Sequence, residues 1–205
     1  MSTTTIDRRP SNTTTVDRLA FEPADFAVLR DAGQESRATQ APDTLRFEYE
    51  VSNFQRTVGR QREVVRSAIV KKIVASDAPD EYIQTVIDTL LSSGRPGRLD
   101  DAIDILAETG RVLPQFILET LAQQQGTEAD EDYWYVLIRA VGKSKLPSAR
   151  MLIQLLWSRS PEAAVEALRD MGDDDSIKRL RAIATSEPSE FIRQMAAEFI
   201  EECSE

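Results

Sequence analysis

The chain has 205 residues, of which 41% are apolar and 29% charged, and its formal net charge is −10. This length accommodates one domain with appended segments, and the excess of negative charge disfavours a phosphate backbone as a partner. Histidine is absent and Cys203 is the only cysteine, so the sequence contains neither the commonest general base nor a disulfide pair.

Residues 1–53 are predicted to form a disordered or extended N-terminal arm. Thr, Ser, Asp and Arg dominate the segment from Met1 to Arg18, and such a composition buries too little apolar surface to order the backbone. The N-terminus lacks the apolar core of a secretory signal. No window of the sequence reaches the roughly 20 apolar residues of a membrane helix. We therefore expect a cytoplasmic protein with no membrane segment.

Two segments of the arm contain regularly spaced apolar residues. Phe21, Phe26 and Leu29 lie near one side of a short helix predicted over 21–33. That helix either docks on its own domain or folds on binding a partner protein. In Leu45–Val51 apolar and polar residues alternate, which predicts an extended segment laid against the helices.

A basic helix is predicted over residues 54–76. It has six Lys or Arg residues against one Glu, whereas residues 77–205 have 13 basic and 25 acidic residues. Its basic side either faces solvent and acidic neighbours or forms a docking strip for an acidic protein, with Arg56, Arg60 and Lys71 as contact candidates. No aromatic residue lies between the arginines to stack on bases, which disfavours nucleic acid.

One apolar pattern recurs in the rest of the chain. Its copies begin at Ala102, Trp134, Ala164 and Ala196, and the intervals between these positions are nearly equal. The first three copies have a glycine at the same offset, which is expected to end each helix in the left-handed conformation; these are Gly110, Gly142 and Gly172.

A further helix is predicted before each later copy. Pro114 and Pro147 are suited to the first position of two of these helices, and Ser176 is suited to cap the third. A period of about 31 residues with two helices in each unit predicts an α-solenoid.

The last copies resemble HEAT repeats, especially the short HEAT-like type of phycobilisome-lyase-type proteins. The residues that carry the resemblance are Ile192, Arg193, Ala196, Ala197 and Ile200. The third copy has Glu162 near the arginine position, and the second has Trp134 in place of a small alanine. The resemblance covers about residues 80–202 and implies a right-handed, all-α solenoid of four to five antiparallel helix pairs over 54–205.

We predict no catalytic residues, no cofactor and no metal site. The acidic run Asp173–Asp175 lacks the alternating ligands of a calcium loop. HEAT-like folds include bilin lyases and DNA glycosylases. The bilin-lyase alternative lacks a histidine, and the glycosylase alternative expects a basic groove, which the acidic repeat region does not match.

The predicted function is a non-catalytic scaffold or adaptor for a protein partner. Trp134 is expected in the core. The resemblance implies that the concave side of the solenoid binds partners, and the exposed candidates there are Tyr135, Arg139, Glu166, Arg169 and Asp170. Charge reversal at Arg139 and Arg169 is expected to weaken binding with little loss of stability. The alternative is a regulatory subunit docked through the basic helix 54–76; the oligomeric state stays open.

Overall fold

The computed structural model describes residues 44–123 and 131–202, which all lie in the compact unit Glu35–Glu205. Regular structure in these two ranges is entirely helical, which confirms the all-α prediction. The ten helices of these ranges are α1 (Thr44–Phe54), α2 (Gly59–Ala75), α3 (Pro79–Ser92), α4 (Arg98–Ala107), α5 (Val112–Gln123), α6 (Glu131–Ser144), α7 (Ala149–Leu156), α8 (Pro161–Met171), α9 (Asp174–Ser186) and α10 (Glu190–Glu202). None of them is long and apolar enough to cross a membrane.

Helix α1 replaces the extended segment predicted for Leu45–Val51, and that prediction is wrong. Phe47, Val51 and Phe54 follow one another at helical spacing and are all buried. The ring of Phe47 meets that of Tyr82 on α3 edge to face, with 4.4 Å between centroids. A lone extended segment among helices would leave its backbone groups unpaired, whereas a helix satisfies them internally. The alternating pattern was coincidental, since Leu45 is exposed while Phe47 is buried.

The predicted basic helix 54–76 is two elements rather than one. Phe54 ends α1, and α2 begins at Gly59, whose φ of +57° is the left-handed conformation. The amide of Thr57 donates to the carbonyl of Phe54 at 3.0 Å, which closes the turn between the two helices. Glycine would weaken the interior of a helix, but at this position it permits the reversal of the chain. The N-terminal part of the predicted basic helix is therefore a turn.

The core extends along the repeated helices. Helix α6 packs against both α4 and α8, and α8 packs in turn against α10. Trp134 is 2% exposed, as predicted for a core residue, and Leu168 on α8 is also buried. Burying a large apolar side chain contributes about 1.5–3 kcal/mol, so this succession of helices accounts for much of the stability.

Gly142 does not end a helix, contrary to the prediction from the repeat. Helix α6 continues through it to Ser144, and Lys145 instead adopts the left-handed conformation with φ of 52°. A Cβ atom at Gly142 would lie 2.5–2.6 Å from the backbone and Cβ of Ala167 on α8. Glycine is therefore required here for the close approach of two helices. At Gly110 and Gly172 the left-handed prediction is confirmed, with φ of 63° and 62°.

The helix caps differ from the predictions in detail. Asp173, rather than Ser176, caps α9: its carboxylate accepts a hydrogen bond from the Ser176 amide at 2.8 Å. Pro114 is the third residue of α5 rather than the first, and Pro147 lies in the turn before α7. Both prolines still occupy positions where the missing N–H has no partner within the helix.

Candidate protein-binding surfaces

The five predicted contact residues of the repeats form one cluster across α6 and α8. The hydroxyl of Tyr135 donates to Glu166 Oε2 at 3.0 Å and accepts from Arg139 Nη1 at 3.0 Å. Arg139 also contacts the carboxylate of Glu166, and its Nη2 lies 2.9 Å from Asp170 Oδ2. Arg169 Nη2 is 3.8 Å from the other carboxylate oxygen of Asp170. Residues predicted from separate repeat copies are therefore in direct contact.

These side chains are less exposed than predicted. The exposed fractions are 14% for Arg139, 16% for Glu166, 18% for Asp170 and 35% for Arg169, and Tyr135 is partly buried. The prediction that all five are exposed is wrong because they fold against one another across the groove between two helices. Breaking a buried ion pair leaves an uncompensated charge. Charge reversal at Arg139 is thus expected to destabilise the fold more than reversal at the more exposed Arg169.

Arg169 connects this cluster to α10. Its guanidinium carbon lies 4.3 Å from the centroid of the Phe199 ring, and Nη1 lies 3.8 Å from Glu202 Oε2. A guanidinium over an aromatic face gains electrostatic attraction in addition to the apolar contact of its stem. Arg169 is therefore held in one place while part of its guanidinium faces solvent.

A similar arrangement joins α2 to α4. Arg66 lies 3.4 Å from Asp104 and 3.0 Å from Glu108, and Arg62 contacts Asp101. These contacts confirm that part of the basic helix faces acidic neighbours. Burial raises the pKa of Asp101 above its usual value, although the adjacent Arg62 works in the opposite direction. For Asp101, the cost of desolvation therefore outweighs the attraction of the Arg62 guanidinium.

Cross-helix ion pairs thus link every second helix from α2 to α10. Lys143 on α6 contacts Asp104 on α4 and completes the series. We call the set the charge ladder; its members are Arg62, Arg66, Asp101, Asp104, Glu108, Arg139, Lys143, Glu166, Arg169, Asp170 and Glu202. The ladder joins helices that are far apart in sequence.

Sequence reasoning named Glu166 and Asp170 but missed the other acidic members of the ladder, although the repeat contains a signal for most of them. The third residue of a copy and the one four positions later are both acidic in three of the four copies: Asp104 with Glu108, Glu166 with Asp170, and Glu198 with Glu202. Residues four apart share one side of a helix. In the first two of these pairs, one arginine from another helix bridges both carboxylates; the two arginines are Arg66 and Arg139.

The other predicted contact residues lie outside the ladder. Arg56, Arg60 and Lys71 are exposed, and within residues 44–123 and 131–202 they have no ion-pair partner. The structure does not bring them together with Tyr135 and its neighbours. Phe21, Phe26 and Leu29 lie outside the described residues. In the described ranges no three Cys, Asp or Glu side chains are grouped so as to hold a metal ion.

Comparisons with known proteins give no match. No protein-family model, no curated protein and no solved structure matches this chain.

Proposed function

We propose that the chain is a HEAT-like, right-handed α-solenoid that acts as a non-catalytic scaffold for a protein partner in the cytoplasm. Stacked repeats are supported by one kind of contact that occurs twice, in which an arginine pairs with two carboxylates of another helix pair. Arg66 bridges two carboxylates four residues apart, one on α4 and one directly after its end, and Arg139 bridges two carboxylates four residues apart on α8. Equivalent contacts at equivalent positions are expected when similar units pack in the same way.

The partner surface of this proposal is the cluster around Tyr135, and a single observation carries it. Arg139 holds the Tyr135 hydroxyl while Asp170 and Glu166 hold Arg139. Tyrosine and arginine dominate the binding energy of many interfaces, and side chains that are already ordered lose less entropy on binding. Tyr135 and Arg169 retain accessible atoms for a partner, and the other three residues position them.

Affinity purification with mass spectrometry from the native host tests this surface. The baits are the wild type, Arg169→Glu and the matched control Arg181→Glu, which reverses an exposed arginine on α9. A partner that binds the cluster is captured by the wild type and the control but is depleted about tenfold or more with Arg169→Glu, as expected when an interface charge is reversed. Equal capture by all three baits contradicts the proposal. A chain that begins at Asp43 shows whether the N-terminal arm contributes to capture.

A second candidate function is that of a regulatory subunit docked through α2. The observation in its favour is the side of α2 that faces away from α4. We call it the outer face of α2; its residues are Arg60, Val64, Ser67, Ala68, Lys71 and Ala75, and all are exposed. Val64 is 69% exposed beside two cations without ion-pair partners in the described residues. Mixed basic and apolar character suits an acidic protein surface.

A further inference from the structure

We propose that copies of this chain associate head to tail, with the outer face of α2 in one copy packed against α10 of the next. The inference rests on the second candidate function, docking through α2, and identifies the acidic partner as a second copy. Its evidence is the position and charge of two exposed helix faces, one at each end of the charge ladder.

The first face is on α2. Arg62 and Arg66 point toward α4, where they contact Asp101 and Asp104. Because successive residues are 100° apart around a helix, Val64 and Lys71 lie on the opposite side. The outer face of α2 therefore points away from the ladder to which the same helix contributes.

The second face is on α10. Phe199 and Glu202 point toward Arg169 on α8. We call the opposite side the outer face of α10; its residues are Glu190, Gln194, Ala197 and Glu201, and all are exposed. Phe191 is 61% exposed but lies about 20° from Glu202 around the helix, outside this face. Glu190 and Glu201 have no ion-pair partner among the described residues.

The two outer faces match in the spacing of their charges. The interval in sequence from Arg60 to Lys71 equals that from Glu190 to Glu201. At a rise of 1.5 Å per residue, each pair spans about 16 Å along its helix. Small or apolar residues lie between the charges on both faces. On α2 these residues are Val64 and Ala68, and on α10 the residue is Ala197. One helix can therefore lie against the other with both pairs of opposite charges in contact.

The charge of each helix supports a second copy as the occupant. Helix α2 has five basic residues and one acidic residue, whereas α10 has four acidic residues and one basic residue. Inside the chain, Arg66 and Arg139 already join their helices to others through carboxylates. Terminal repeats of a solenoid need polar outer faces to stay soluble as monomers, but Val64 makes the outer face of α2 partly apolar. An interface that joins different faces repeats in each added copy and forms a closed ring or an open chain.

Sedimentation of the full-length chain tests the proposal, at about 0.15 M salt, where charges are screened beyond about 8 Å. For the wild type we expect a mean mass that rises with protein concentration past that of a dimer. Two variants remove the match: Arg60→Glu with Lys71→Glu, and Glu190→Lys with Glu201→Lys. Each alone should weaken association about tenfold or more. Mixed in equal amounts they should associate again, because each variant's reversed face now meets its complement.

A matched control reverses Arg179 and Arg181 on α9 to glutamate. This changes the net charge as much as the α2 variant does but leaves both outer faces intact, so it should associate like the wild type. A wild type that stays monomeric overturns the proposal, as does a mixture that stays monomeric or a single variant that associates normally. Circular dichroism checks that each variant folds. If a variant does not fold, zero-length crosslinking of mixed isotope-labelled wild-type chains decides, since it should join Lys71 to Glu190 or to Glu201 between copies, depending on the relative direction of the two helices.

The outcomes separate this inference from the functions proposed above. The Arg169→Glu variant keeps both outer faces, so its loss of partner capture reports on the Tyr135 cluster alone. The α2 variant removes self-association together with any other docking at α2. The α10 variant removes self-association but retains the basic face. A monomeric wild type whose α2 variant loses an acidic partner supports docking at α2 and overturns the head-to-tail contact.

Discussion

Arg139 and Arg150 each contact two carboxylates, but at different depths in the molecule. The side chain of Arg139 is 14% exposed between Glu166 and Asp170, whereas that of Arg150 is 43% exposed beside Asp173 and Asp175. Solvent and salt weaken an exposed pair, while a partly buried charge depends on its partners. At the residue scale, the exposed fraction of the arginine side chain therefore determines how much each set of ion pairs stabilises the fold.

Arg139→Met is therefore expected to lower the free energy of unfolding by about 3 kcal/mol, and Arg150→Met by no more than about 1 kcal/mol. Urea unfolding followed by circular dichroism measures both. Adding Glu166→Gln to Arg139→Met should cost less than the two single changes together, because the orphaned carboxylate is removed. Equal losses for Arg139 and Arg150 would show that the Arg139 pairs contribute no more than surface pairs.

Gly142 is required by packing rather than by its backbone conformation. A Cβ atom there would lie 2.6 Å from the Cβ of Ala167, so α6 and α8 must separate in Gly142→Ala. The expected loss is about 1–3 kcal/mol, typical of an overpacked core, despite the better helix propensity of alanine. Thermal unfolding of the variant measures it. An unchanged or higher melting temperature contradicts the close approach of the two helices.

At the scale of elements, the sequence pattern identified most helices and misassigned the one whose pattern is ambiguous. In α3 the apolar residues recur at helical spacing only, and Pro79 lies at its first position. In α1, both a period of two and a helical period fit the apolar residues. Tyr82 on α3 meets Phe47 and decides between the two, and a contact of this kind between distant residues is not contained in a local pattern.

The position of α1 predicts which N-terminal truncation is tolerated. A chain that begins at Asp43 keeps Phe47 and Val51, and it should unfold with nearly the free energy of the full chain. A chain that begins at Asn53 loses both buried side chains, and a loss of at least about 3 kcal/mol is expected from the phenylalanine alone. Urea unfolding compares the two chains. Equal stabilities would mean that α1 is not part of the folded unit.

The cap of α9 predicts a dependence on pH. A backbone hydrogen bond from Ser176 lowers the pKa of Asp173, and Arg150 lowers it further. A carboxylate with a lowered pKa stabilises the fold above its unfolded pKa, near 4, and this contribution is lost as the pH falls through the folded value. Asp173→Ala should cost about 1 kcal/mol at neutral pH.

Urea unfolding at neutral pH and near pH 3 measures the cap. The difference in unfolding free energy between the wild type and Asp173→Ala should shrink at the lower pH. Asp173→Asn is the control, because asparagine caps a helix without a charge; its stability relative to Asp173→Ala should not fall in the same way. A difference that is constant with pH would mean that the carboxylate charge does not contribute.

At the scale of the whole molecule, stability is expected to be highest where a helix has neighbours on both sides. Helix α6 packs against α4, α7 and α8, while α10 packs against α8 and α9. Local opening costs least at elements with few buried contacts. Amides of α6 and α8 should therefore exchange with solvent more slowly than those of α10, as measured by hydrogen–deuterium exchange with mass spectrometry. Equal exchange rates for the amides of α6 and α10 would contradict this expected difference in local stability.

The helical class, the recurring apolar pattern and much of the buried register follow from local spacing along the chain. Trp134 and Leu168 are buried where the repeat places them, and Gly172 ends its helix. Two features became evident from the packing of the helices alone: Gly142 permits the close approach of α6 and α8, and Tyr135 and Arg139 are half-buried. Those outcomes depend on the distance between helices and on which side chains meet across it, and neither quantity is encoded in the period of a single helix.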